Sequence, residues 1–271
     1  MAPIDAGTNG LPDAATDAGT VDPLSTDRGR FFGASRCAGM MFCDDFEGAA
    51  IDTTKWTAMG TTKPGIDATQ HARGQKALHV SITGSGASYI LTKSPFPAAM
   101  NRYWGRAFVR FGQLPTAAPT MTYSHWTFAA ASGTGIAGEI RLGGQLQNGK
   151  NLFGVGTDNR TEDAGTGDWT NSDNDPTGAP RAVPTGEWMC IEWLHAGDVN
   201  ETHFYWDAVE HASLATTMTT RHGGTKQGTP YILPQLTQVW VGWQEYTDTT
   251  EPFEMWVDEV AFDSSRIGCV R

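Results

Sequence analysis

The sequence predicts an all-β protein, a single antiparallel β-sandwich of the jelly-roll type with a disordered N-terminal tail. Three observations lead there. From about residue 36 onward, runs of β-branched and aromatic residues recur, each bounded by Gly, Pro, Asn or Asp. No segment keeps a helical apolar period over three turns. The 32 glycines and 14 prolines, against only 18% charged residues, match many short strands joined by turns. A chain of 271 residues can bury one large core, and no internal repeat or second composition regime divides it.

Residues 1–35 open with "MAPIDAGTNGLPDAATDAGTVDPLSTD", which is too poor in large apolar residues to offset its ordering entropy. They are read as a linker, and 36–271 as the domain. Such a segment resembles the spacer behind a cleaved bacterial export or lipoprotein signal, so a secreted or cell-surface protein is expected. The first strand is "FCDDFEG" (42–48), with Asp45 and Glu47 on one face. "HARGQKALHV" (71–80) reads as a turn feeding a strand that runs through "KALHVSIT" (76–83). Further strands are expected at 103–111, 123–131, 139–147, 187–196, 202–210, 236–246 and 253–262. The stretch 157–186 has no apolar periodicity and is expected as one long loop.

Cys37, Cys43, Cys190 and Cys269 fit two disulfides in an oxidising compartment, with three pairings open. No Cys-x-x-Cys with a histidine partner is present, so zinc is not expected. A net charge of -11 argues against nucleic acid as a partner, because phosphate contacts need a basic face. It leaves room for an anionic sugar, which needs only a local cluster of arginines. No apolar run approaches the ~20 residues of a membrane span. A monomer is expected.

The acids of "CDDFEG" pose a question of their own, since three carboxylates this close repel one another. In a jelly roll the first and last strands commonly lie side by side, and the last, "MWVDEVAF", carries Asp258 in mid-strand. With backbone carbonyls from residues such as Arg73 and Gln75, the carboxylates of Asp45, Glu47 and Asp258 make a set of hard oxygen ligands suited to calcium.

The succession "DDFEG…W…HARGQKALHV…WGRAFVRF…WVDEVAF" resembles secreted concanavalin-like jelly rolls over about residues 40–265. These include the cellulose-induced proteins of fungi and bacteria and the related glucuronan and alginate-type polysaccharide lyases. The resemblance implies a structural calcium tying the first strand to the last, and a polysaccharide bound on the concave sheet.

Alternation along the strands expected to be central places Arg106, Tyr123, His125, Glu139, Arg141, Gln145, Glu192, Gln244 and Tyr246 on outward faces. In one groove these residues would serve β-elimination on a uronic acid. Arg141 with Gln145 would neutralise the C6 carboxylate and so acidify the C5 proton. His125, or a deprotonated tyrosine, would be the base, and Tyr246 or Tyr123 the acid for the leaving oxygen. Arg106, Tyr123, Glu139, Glu192 and Gln244 would line the substrate. The Glu-x-Asp-x-x-Glu strand of laminarinase-type hydrolases is absent, as is a Gly-x-Ser-x-Gly nucleophile turn. The competing expectation is a non-catalytic carbohydrate-binding domain that stacks sugars on some of its ten tryptophans.

Overall fold

The computed structural model describes residues 22–116, 125–135, 138–147, 149–158, 168–171, 181–217, 232–246 and 249–271. Its strands are β1 (Phe42–Asp44), β2 (Thr57–Gly60), β3 (Gly65–Asp67), β4 (Ala77–Thr83), β5 (Gly86–Thr92), β6 (Arg102–Gln113), β7 (His125–Thr134) and β8 (Glu139–Gln147). They continue with β9 (Lys150–Asp158), β10 (Asp168–Asn171), β11 (Trp188–Ala196), β12 (Glu201–Trp206), β13 (Val209–Glu210), β14 (Gln235–Glu245) and β15 (Pro252–Asp263). One antiparallel sheet runs β13-β12-β11-β6-β15-β4-β3, with β1 paired to β15. The other runs β10-β9-β8-β7-β14-β5-β2. This is the expected sandwich.

Period-2 alternation builds the core between the sheets. Val109 and Phe111 of β6, Ile191 and Trp193 of β11, and Met255 and Val257 of β15 face inward from the eight-stranded sheet. Trp126 and Phe128 of β7, Ile140 and Leu142 of β8, and Val241 and Trp243 of β14 face them from the other. Trp126 and Trp243 stack with ring centres 5.3 Å apart.

Two bulges alter which residues face out. In β7 the register shifts between Thr127 and Ala129, so Phe128 and Ala129 both enter the core. Thr127 lies opposite Gly143 and Ala130 opposite Arg141, so the outward set is His125, Thr127, Ala130 and Ser132. In β15 the shift lies between Asp258 and Ala261, with Glu259 at φ 43°. Val257 and Val260 point to the core, and Asp258 and Glu259 both face away from it.

That acidic pair is covered by both ends of the described chain. The disulfides are Cys37–Cys43 and Cys190–Cys269. A small second core of Phe31, Ala72, Phe108, Cys190, Cys269 and Val270 closes over the outer face of the eight-stranded sheet. Residues 22–35, expected as tail, therefore belong to the domain: Phe31 is fully buried, and Arg28 pairs with Asp207. The rest of the expected tail, 1–21, lies outside the described residues. Two further expectations give way. The long loop expected at 157–186 includes the end of β9 and all of β10, and the first strand stops at Asp44, before Phe46 turns at φ 54°.

Candidate functional site

The outer face of the seven-stranded sheet gathers the four residues expected to be catalytic. Gln145 of β8 lies opposite His125 of β7, and its side-chain nitrogen donates to His125 Nε2 at 2.7 Å. Tyr246, just past β14, is held beside them by its N–H to the His125 carbonyl, 3.1 Å. Arg141 lies two positions before Gly143, which lies two before Gln145. Its guanidinium sits 4.2 Å from the Tyr246 ring centre. At Gly143 a Cβ would overlap the main chain of Trp126 and Thr127, so the position admits no side chain without moving β7.

Arg141 and His125 have neighbours that set their states, and the Tyr246 hydroxyl is buried. Arg141 Nε bonds Glu139 Oε2 at 3.3 Å, and Glu139 Oε1 accepts from Trp240 Nε1 at 3.1 Å. Glu139 is thus a brace that orients the arginine. Burial and the charge of Arg141 push the His125 imidazole below its ordinary range. At neutral pH it is uncharged, and it can accept a proton. Gln244 lies opposite Thr127 on the same face, half-buried. Tyr123 lies outside the described residues.

Arg106 and Glu192 do not belong to this groove. They are fully buried on β6 and β11, behind the other sheet. Arg106 pairs with Glu259 and Glu192 with Arg266. Alternation gave their outward direction, but it could not say which sheet each strand joins. Tyr89 on β5 was missed: it meets Trp240 in tilted contact with ring centres 4.7 Å apart. Its strand, "GASYILT", opens with three small residues that read as turn, although Ser88, Ile90 and Thr92 keep a clean buried alternation.

The residues expected to bind calcium sit at the junction of the first and last strands. Asp258 Oδ2 accepts the N–H groups of Ala72 and Arg73, both at 2.9 Å, and Oδ1 that of Glu259 at 2.7 Å. Glu47 Oε1 accepts those of Gln75 and Lys76 at 2.7 and 3.0 Å. Arg73 and Gln75 thus offer hydrogens to these carboxylates. Three of the four oxygens are met by N–H donors where a cation needs lone pairs, so this arrangement fits calcium poorly. The other acids of the opening cluster follow suit: Asp44 accepts from Trp56 Nε1 at 2.7 Å and Asp45 from Ser35 Oγ at 2.6 Å.

The profile of the polysaccharide lyase-like family, Cip1-like core domain, matches residues 45–265. The chain belongs to this family. Family membership covers every strand of the sandwich except β1, which lies ahead of the match. None of the curated proteins matches the chain. Among solved structures, a protein from Mycobacterium abscessus described as a beta-glucanase superposes with a TM-score of 0.50 at 14% identity, over 83% of this chain and 100% of its own. The alginate lyase AlyC3 gives a TM-score of 0.45 at 10% identity, over 69% of this chain and 74% of its own. Its complex with dimannuronate gives 0.46 at the same identity and coverage. At 14% identity the first of these likenesses speaks to the fold alone.

Proposed function

We propose that this family member is a secreted lyase that cleaves a uronic-acid-containing polysaccharide by β-elimination on the outer face of the seven-stranded sheet. The observation that carries this reading is the convergence of an uncharged His125, Gln145, Arg141 and Tyr246 on that face. Arg141 pairs with the C6 carboxylate, and the C5 proton becomes more acidic as negative charge moves onto that group. Gln145 turns its amide N–H from His125 Nε2 to the same carboxylate, which bares the imidazole lone pair. His125 takes the C5 proton, the C4–C5 double bond forms, and the C4–O bond breaks. Tyr246 protonates the departing oxygen, and solvent returns the proton from His125 to the phenol.

A sugar-stacking domain is less well supported. Among the described residues no tryptophan is exposed, and the partly exposed Trp104 and Trp188 lie on the other sheet. The test is the release of unsaturated ends from glucuronan, alginate and polygalacturonate, followed by ultraviolet absorbance. Arg141→Ala should lower kcat by about 10²–10³, the usual cost of one lost charge-stabilising donor. His125→Ala should cost at least as much. Absence of unsaturated ends from all three polymers, with retention on a neutral glucan, would replace the lyase with a binding domain.

A further inference from the structure

The outer face of the seven-stranded sheet continues beyond the four catalytic candidates. Pairing registers set Arg141, Ala130, Trp240, Leu91 and Thr57 in one row across β8, β7, β14, β5 and β2. The row spans four strand spacings, about 19 Å. Where it ends, the surface opens into a cleft of about 760 Å³, between the segment leading into β2 and the segment leaving β5. Thr57 and Leu91, the last two residues of the row, are among those that line it.

Lys55 and Lys93 are among the residues that line the cleft. Lys93 follows β5 and is exposed. Lys55 precedes β2 with its side chain 37% exposed; its Nζ donates to the Cys43 carbonyl at 3.0 Å and stands 3.7 Å from Asp44 Oδ1. Both oxygens of Asp44 already accept N–H groups, from Phe46 at 3.0 Å and Trp56 at 2.7 Å. Lys55 is thus held by Cys43 and Asp44 with part of its side chain still exposed, and Lys93 is exposed. Between cleft and reacting groups lie Tyr89 and Trp240, their rings in tilted contact, with Leu91 beside them. Along this row Tyr89 and Leu91 are partly exposed and Trp240 is buried, and the two lysines stand at the far end.

We propose that the cleft is a distal subsite that takes the carboxylate of a uronic-acid residue several sugars away from the one being cleaved. This rests on the groove holding a polyuronate, as proposed above. A uronic-acid residue carries its carboxylate on the rim of the ring, which suits lysines at the end of a groove. In a protein of net charge -11, a polyanion gains a local attraction that the molecule as a whole withholds. An open cleft joined to the groove suits a long chain, whose multiple contacts add up as avidity.

The test is affinity electrophoresis of the protein through gels holding glucuronan, alginate or polygalacturonate, each beside its carboxyl-reduced form and normalised to polymer-free gels. The wild type should be retarded by at least one polyuronate and not by the reduced polymer. Lys55→Gln with Lys93→Gln should weaken that retardation by about three- to tenfold, as for two partly exposed ion pairs. Lys55→Arg with Lys93→Arg should keep it, and equal melting temperatures would show that both variants fold. Undiminished retardation of the glutamine variant overturns the subsite while leaving the groove reading intact. No retardation of the wild type by any polyuronate overturns it too. Retardation that depends on the lysines, without unsaturated ends, keeps the subsite and removes the lyase.

Discussion

Glu259→Gln isolates what the buried charges behind the eight-stranded sheet contribute to stability. Glu259 is fully buried, and its Oε2 takes both Arg73 Nη1 and Arg106 Nη2, the latter at 3.0 Å. Its Oε1 accepts the Arg36 N–H at 2.5 Å. Both guanidiniums are themselves fully buried. Their remaining contacts are mainly carbonyls: Phe31 and Cys269 for Arg73, at 2.5 and 2.7 Å, and Gly268 for Arg106, at 3.3 Å. Removing one member of such a cluster strands buried charge and costs about 3–5 kcal/mol. At about 2–4 °C per kcal/mol for a domain of this size, the melting temperature should fall by roughly 6–20 °C. Glu254→Gln, at a 44% exposed partner of His79, is the control and should cost under about 1 kcal/mol.

The loss should also depend on pH. Burial raises the Asp258 carboxyl to about 7, and the charge of Glu259 adds to that rise. A group whose folded pKa exceeds its unfolded one favours folding at low pH, and that contribution fades as pH rises through the folded value. Without Glu259 the Asp258 carboxyl ionises more readily beside the two arginines and replaces part of the missing charge. Urea unfolding should therefore show a larger deficit at pH 5 than at pH 8, at unchanged m. A loss under about 1 kcal/mol at both values would refute the reasoning, because the carbonyls alone would then satisfy the arginines.

Two further predictions concern the groove and the strand junction. Because His125 is held below its ordinary range and must be uncharged to accept a proton, kcat/KM should rise with pH along an acid limb centred below about 6.5 and flatten above it; a limb centred above that value, or one unmoved in His125→Gln, would remove it as the base. With three of the four carboxylate oxygens of Glu47 and Asp258 engaged by N–H donors, EDTA should leave the melting temperature unchanged; a fall that added calcium reverses would establish the metal site expected from the sequence.

The sandwich was legible because long strands with one buried face repeat at period 2: the expected 139–147 coincides with β8, and 253–262 falls within β15. Short edge strands such as β2 and β3 bury little and left no such trace. The groove was legible where alternation survived to the reacting end. Arg141 and Gln145 share the face of one unbroken strand, and Tyr246 extends the Trp240–Gln244 series. The bulge in β7 falls just after Thr127, so it inverts the strand beyond His125 and leaves His125 in phase. What stayed hidden was which strands share a sheet. Arg106 and Glu192 obey the same alternation as Arg141, yet they serve a buried ion cluster on the far side. Alternation reports only in or out, and an outward polar residue in a jelly roll has two outsides to choose from. The choice is made by non-local pairing, and for Arg106 by residues as distant as Gly268, which no window along the chain contains. A buried arginine on an outward position therefore signals a covered outer face. Of the two segments covering it here, 28–36 and 266–271, the first lies almost wholly within the residues that composition marked as tail.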